Sequence, residues 1–553
     1  MAERRARASG SSGSSGSSRA SRARWAGCLG GVFLAAASWG SGALPRLNVG
    51  VLWPGVATWS AKGGGSPLLA TVSVLAMAVL VIAWWRLRDA DVTVHWWWVT
   101  VALWFAPLVA AMPLYSRDLY SYAAQGLLWD QGLSPYEHVV RELDSPWRGS
   151  TAPTWLDSTT PYGPVWLLLA RALAAVSGEL WVALLLLRLL AVAGVVLMAW
   201  AVPDVARRLG WSPVRALWLG VAVPLVGAHF VGGAHNDALM VGVVLGGLAL
   251  ALRGRFAVAC VVIAVGAMVK VTAVIALPFV AILWARHLAS ARTSGREATA
   301  YPRWPEVVRA GALTALSAGV PMVLGGLLTG LGFSWLNPTG TPGKNEQWTS
   351  LPTSIGIAVG AVGHVLGHDD WREPAIAAAR VIALVVLALL LVLVWLAALK
   401  PADPRGLRDE DGDEDGDEDG DEGTVAEARL RPVRGIAWAM LAVVVLSPVF
   451  LGWYYLWMLP FFAVSLGVLW QARLERPLAV VATVVCFATL PEGYSLGLTT
   501  TAVGVPLALV ILVLLLRRGL RTARRTDWRH LFDLDRPLVQ HSGDRARSRI
   551  GDS

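Results

Sequence analysis

PLYSRDLYSYAAQGLLWDQGLSPYEHV (residues 113–139) and TTPYGPVW (residues 159–166) frame the longest polar interruption in the N-terminal half of an apolar chain. The run before it, residues 94–113, is long enough to cross a bilayer. Asp118 therefore stands at the mouth of a membrane helix. An acid is costly to keep there and reads as functional by default. The fold depends on which neighbouring apolar runs cross, and the function on which face receives this loop.

Of 553 residues, 55% are hydrophobic and only 15% charged. Apolar runs of spanning length recur from end to end. A soluble chain of this size would divide into several domains with alternating polar faces. The pattern predicts an all-α polytopic membrane protein instead. The net charge of +9 comes mostly from arginine clusters beside the apolar runs. They form no continuous stripe, so they set topology and exclude nucleic acid as a partner. Cys28, Cys260 and Cys486 all lie inside apolar runs, which implies no disulfide or metal framework. The 29 tryptophans suit helix ends at the lipid–water interface.

Hydropathy windows predict about 14 spanning helices. The arginine-rich connections WWRLRD (84–89), VARRLG (205–210), the 398–434 loop and RRGLRTARR (517–525) all fall on the cytoplasmic side on one condition. Residues 164–177 must form a re-entrant or interfacial helix that does not cross. The outside then receives residues 44–64, 114–163, GGAHND (232–237), the turn near Lys270, the 333–374 loop and SPVFLGW (447–453). The expected organisation has five parts. Residues 1–24 are a disordered basic cytoplasmic tail and 25–397 the transmembrane core. Residues 398–434 are an acidic cytoplasmic linker, 435–516 the C-terminal helices and 517–553 a basic cytoplasmic tail. Within the linker, Asp411, Asp413, Asp415, Gly416 and Glu422 match the spacing of a calcium loop. Acid replaces the apolar residue that should follow the glycine, so the stretch reads as solvated linker.

Several residues could carry chemistry. Asp118 could take a proton from a hydroxyl; the rival reading is a helix-end ion pair made by Arg117. His235, Asn236 and Asp237 sit in a tight outside turn, where they either orient a substrate or cap a helix. Lys270 interrupts an apolar stretch and either snorkels or binds an anion. Lys344, Asn345, Glu346 and Gln347 are the polar members of a candidate loop over an acceptor. The aromatics of 447–457 form either an anchoring belt or a lipid-chain groove. His364, His368, Asp369 and Asp370 read as a helix end rather than a metal site.

SRDLYSYAAQGLLWDQGLSPYEHV, TTPYGPVWLLLARAL, GAHNDALM and VGAMVKVTAVIALP occur in an order and spacing that resembles a known family. It is that of the actinobacterial polyprenol-phosphate-mannose-dependent alpha-1,6-mannosyltransferases, membrane glycosyltransferases of the GT-C class. The resemblance covers roughly residues 90–500 and leaves out both tails and the acidic linker. It implies a GT-C-like fold at the plasma membrane, with the active site on the extracytoplasmic face. It implies a polyprenyl-phosphate mannose donor, a glycolipid mannan acceptor of the lipomannan and lipoarabinomannan type, and inverting transfer. Asp118 would be the base, with its pKa modestly raised by burial. Arg117, Tyr120, His235, Asn236, Asp237 and Lys270 would serve the donor and its phosphate, and Lys344, Asn345 and Gln347 the acceptor. No resident cofactor is implied, and help from a divalent cation stays open. An arabinofuranosyltransferase would share the architecture, and only the family blocks favour mannose. A transporter or flippase should show internal repeats, and none is apparent.

Overall fold

The computed structural model describes residues 2–46, 66–292, 302–336, 346–400 and 417–493. Every regular element among them is helical. In chain order the main α-helices are α1 (Ala2–Ser41), α2 (Pro67–Arg86), α3 (Val94–Phe105), α4 (Asp118–Asp130), α5 (Pro164–Ser177), α6 (Leu180–Arg208), α7 (Pro213–Gly220) and α8 (Asp237–Ala251). They continue with α9 (Phe256–Ala267), α10 (Leu277–Ser290), α11 (Trp304–Leu328), α12 (Leu351–Val365), α13 (Arg372–Leu399), α14 (Asp417–Leu446), α15 (Tyr455–Ser465) and α16 (Arg476–Cys486).

Among the described residues five stretches are long and apolar enough to cross a membrane: Pro67–Arg86, Leu180–Arg208, Val271–Ser290, Trp304–Leu328 and Asp369–Leu399. Val226–Gly232 and Asp237–Ala251 would make a sixth if taken as one span bent by 110°. The chain is a multi-pass membrane protein. Fewer spans pass this test than the roughly 14 that hydropathy windows suggest. A window measures apolar length and does not see where the backbone breaks. After Phe105 the third run tightens into a 3-10 turn at Ala106–Ala110, with Pro107 among its first residues. The 213–231 run stops at Gly220 and resumes as a π-helix. The 255–286 stretch breaks at Lys270, whose backbone is extended. The predicted span at 499–516, the C-terminal tail and residues 409–416 of the acidic repeat lie outside the described residues.

Two boundaries move. Residues 1–24 were expected as a free tail, yet α1 begins at Ala2, and Ala20 and Ala23 are buried. Arg24 donates to Thr100 Oγ1 at 2.9 Å and to the Trp96 carbonyl at 2.8 Å, tying this end to α3. The linker was expected to run to residue 434, but α14 takes in its last part, with Arg431, Val433 and Arg434 buried. In both places the helix continues outward from a packed apolar run, which removes the cost of starting a new one. The stretch 333–374, expected as a loop, also holds α12.

Small residues let helices meet backbone to backbone, as in membrane packing generally. A methyl group at Gly194 of α6 would lie 2.4 Å from the Ala238 carbonyl of α8. At one end of the bundle Trp84 and Trp218 exchange indole hydrogen bonds of 2.8 and 2.9 Å with each other's carbonyls. Beside them buried Glu475 accepts from Arg88 at 2.8 Å and from Arg215 at 2.9 Å. This joins the ends of α2 and α7 to the start of α16. α5 has Gly163 as N-cap and Pro164 in its first turn, as PYGPVW suggests. At about 1.5 Å per residue it is too short to cross alone, and it packs along α4.

Candidate active site

Two strained loops deliver the central groups. Beyond the 3-10 turn the backbone runs through Tyr115, held at φ 62°. The Tyr115 N–H donates to the Pro491 carbonyl at 2.9 Å. Asp118 then opens α4, and its N–H is accepted by Ser116 Oγ at 3.1 Å. A carboxylate in the first helical turn faces the positive end of the helix dipole. The second loop follows the π-helix, and there Ala234 sits at φ 52°. Positive φ in a residue with a side chain is a cost of about 1–3 kcal/mol that concentrates at functional sites.

Asp118 is almost wholly buried. Its Oδ1 accepts from Trp155 Nε1 at 2.8 Å, and its Oδ2 lies 3.5 Å from His235 Nδ1. The His235 ring stacks on Trp453, with 3.7 Å between centroids. Asp237 Oδ1 accepts from Lys270 Nζ at 2.7 Å and from Trp457 Nε1 at 2.6 Å. The break at Lys270 is what turns its ammonium toward α8. There it lies 5.0 Å from the ring centroid of Tyr454, 4.8 Å from that of Trp457 and 5.8 Å from that of Tyr162, within cation–π range. Tyr162 is placed by its neighbour: Gly163 lies so close to Met268 that a methyl group would stand 2.2 Å from the Met268 carbonyl. Asn236 Oδ1 accepts from the Tyr122 hydroxyl at 3.4 Å.

Both ring nitrogens of His235, Asn236 Nδ2 and Asp237 Oδ2 are buried without a hydrogen-bond partner. Native proteins rarely leave such groups unpaired. This cluster offers donors and acceptors side by side, the set that the hydroxyls of a sugar satisfy. Among the described residues no group of three or more metal-ligating side chains comes together.

Burial alone would raise the Asp118 pKa. The adjacent His235 imidazole, the Trp155 hydrogen bond and the positive charge of Lys270 together outweigh it, so the carboxyl is held below its ordinary value. This reverses the modest rise expected from burial. It keeps Asp118 ionised, and so able to accept a proton, across the neutral range. Burial also holds the Tyr122 and Tyr162 phenols well above their usual value, so they act as neutral groups. A test follows from Trp155. Trp155→Phe removes a bond to the charged form, so the Asp118 pKa rises. The acidic limb of the pH–rate profile should then move to higher pH, with activity at neutral pH reduced several-fold. An unmoved limb would show that this bond does not tune Asp118.

The structure thus gathers Asp118, His235, Asn236, Asp237 and Lys270. Asn236 stands at the N-cap position of α8 without a side-chain capping bond, and Asp237 opens the helix bound to Lys270 and Trp457. The capping alternative is therefore replaced by tertiary contacts. Arg117 stands beside Asp118 and donates to the Ser150 carbonyl at 3.2 Å. Tyr120 differs from expectation: its phenol is buried and donates to the Ala43 carbonyl at 2.8 Å, so it ties α4 to the end of α1. Two residues along α4, about 200° round the helix, a side chain points away from Asp118. Gln347 is also buried, and its Oε1 accepts from the Phe450 N–H at 3.2 Å, bracing the 447–453 turn. Lys344 and Asn345 lie outside the described residues. The residues that sequence reasoning missed are aromatic: Trp155, Trp453, Tyr454 and Trp457. The last three belong to the run weighed as belt or groove, and here they wall the acidic cluster.

Fold and site together define a multi-pass membrane protein with a buried carboxylate, histidine and lysine cluster at its helix mouths. Comparison with known proteins narrows the class. The model described as "Alpha-(1->6)-mannopyranosyltransferase, N-terminal domain" matches residues 24–286, and that described as "MptB C-terminal domain" matches residues 424–517. Alpha-(1->6)-mannopyranosyltransferase A of Mycobacterium tuberculosis is 31% identical over 474 residues, covering 84% of each chain. Alpha-(1->6)-mannopyranosyltransferase B of Corynebacterium glutamicum is 28% identical over 508 residues, covering 86% of this chain and 77% of that one. The chain belongs to the alpha-(1->6)-mannopyranosyltransferase family of glycosyltransferases. No solved structure matches it.

Proposed function

We propose that the protein transfers mannose from polyprenyl-phosphate mannose to a hydroxyl of a glycolipid mannan, at the extracytoplasmic face of the plasma membrane. The product is an alpha-1,6 linkage made with inversion, on a GT-C-like fold. The observation that carries this reading is Asp118. It is an ionised carboxylate at a helix mouth, fixed between Trp155 and His235 and flanked by unpaired polar atoms. In a single displacement the acceptor hydroxyl oxygen attacks the anomeric carbon. The bond from that carbon to the phosphate oxygen breaks, and polyprenyl phosphate leaves with the electron pair. The hydroxyl proton passes to Asp118. The departing phosphate meets the positive charges of Arg117 and Lys270, and His235 can donate a hydrogen bond to it. The unpaired atoms of Asn236 and Asp237 hold sugar hydroxyls. Attachment of the donor's chain to the bilayer keeps its headgroup in the plane of the site.

In this reading the core runs from the packed end of α1 to α13, and the C-terminal helices begin with α14. The acidic linker and both tails face the cytoplasm. The test has two arms. Membranes containing the protein should transfer labelled mannose from polyprenyl-phosphate mannose, giving an alpha-1,6-linked product, and membranes lacking it should not. Gln131→Cys, at an exposed position beyond α4, should react with an impermeant maleimide in intact cells. Transport of the lipid without sugar transfer, or labelling only after lysis, would overturn the proposal.

A further inference from the structure

Arg188 lies within spanning helix α6 and is buried. A charge inside a membrane span is expensive and calls for a partner. Among the described residues it has no carboxylate partner. Its guanidinium instead donates to three backbone carbonyls: Val109 at 2.9 Å, Ala111, and Gly232 at 3.1 Å. Val109 and Ala111 end the 3-10 turn that leads into the Asp118 loop. Gly232 ends the π-helix that leads into the His235 loop. The Leu114 N–H also donates to the Gly232 carbonyl, at 3.2 Å. The two loops touch so closely that a methyl group at Gly233 would lie 2.9 Å from the Leu114 carbonyl. Each loop carries one of the two non-glycine residues held at positive φ among the described residues.

We infer that Arg188 is a positioning residue for the transfer reaction, clamping the loop that carries Asp118 to the loop that carries His235. The role rests on the reading of Asp118 as the base. Both helical turns end at these residues, so their last carbonyls have no partner further along the same helix. The planar fork of arginine bridges both, which a lysine cannot do with one nitrogen. The bridge sets the spacing between the Asp118 carboxylate and the His235 ring. The other titratable groups facing Asp118 are Lys270, Asp237, Tyr122, Tyr162 and Tyr454. None of them is bound by Arg188.

The experiment compares wild type with Arg188→Gln, Arg188→Lys and Asp118→Asn in membranes, at equal amounts of inserted protein. Arg188→Gln should lower kcat tenfold or more and leave the KM for polyprenyl-phosphate mannose within about threefold. Its acidic limb should move to higher pH, because His235 no longer holds the charged form of Asp118. Arg188→Lys should recover little of the lost rate. Loss of inserted protein with normal kcat and an unmoved pH profile would reduce Arg188 to a structural role and overturn the inference. A raised KM with unchanged kcat would overturn it in favour of substrate contact. If Asp118→Asn keeps its activity, the reading of the base fails instead, and the two failures are told apart.

Discussion

Asp118→Asn is expected to abolish mannosyl transfer while leaving the protein inserted and folded. The amide oxygen still accepts the Trp155 indole N–H, so the local geometry survives. What disappears is the group that takes the hydroxyl proton, and removing a general base costs about 10²–10⁴-fold in rate. Binding and orientation remain, so the donor KM should change far less than kcat. Labelled mannose transfer in membranes, with the amount of protein matched, measures both. A rate near that of wild type would remove Asp118 from the chemistry. The pH dependence gives a second check. Because the Asp118 pKa is held below its ordinary value, the wild-type rate should persist as pH falls and be lost only below the usual carboxylate range.

Lys270→Met is expected to damage stability and activity for separable reasons. Asp237 is fully buried, and among the described residues Lys270, at 2.7 Å, is its only cationic partner. Breaking a buried pair by deleting one member costs about 3–5 kcal/mol, because a charge is left uncompensated. The unfolding midpoint in detergent should therefore drop markedly for Lys270→Met. It should recover in the double variant Lys270→Met/Asp237→Asn, where neither charge is present and Trp457 still bonds position 237. Transfer should not recover with it. Without Lys270 the leaving phosphate loses a positive charge, and Asp118 loses one of the groups that lower its pKa. Recovery of both stability and rate in the double variant would make the pair a purely structural device.

The helical class, the membrane setting and the acids of the site were legible in the sequence because they depend on composition and on costly residues in apolar surroundings. Asp118, His235, Asn236, Asp237 and Lys270 stood out as polar atoms beside greasy runs. What pairs with what did not. Tyr120 and Tyr122 are two residues apart on one helix, and only the packing turns the first toward Ala43 and the second toward Asn236. The tryptophans hid for the opposite reason. In a membrane protein an indole near a helix end is the ordinary case, so Trp155, Trp453 and Trp457 carried no local signal of their own. The break at Gly220 escaped because hydropathy averages over it. The turn near Lys270 was legible, because a charge stands there between two adjoining apolar runs.

Trp457 bonds a carboxylate 220 positions earlier in the chain, and the two residues fall in the separately matched N-terminal and C-terminal regions. The aromatic wall and the acid it binds are therefore encoded far apart, and no single local change reaches both. A chimaera that takes its C-terminal region from a relative would replace Trp457 and leave Asp237 behind, and should keep the cluster intact only where the incoming region restores that bond.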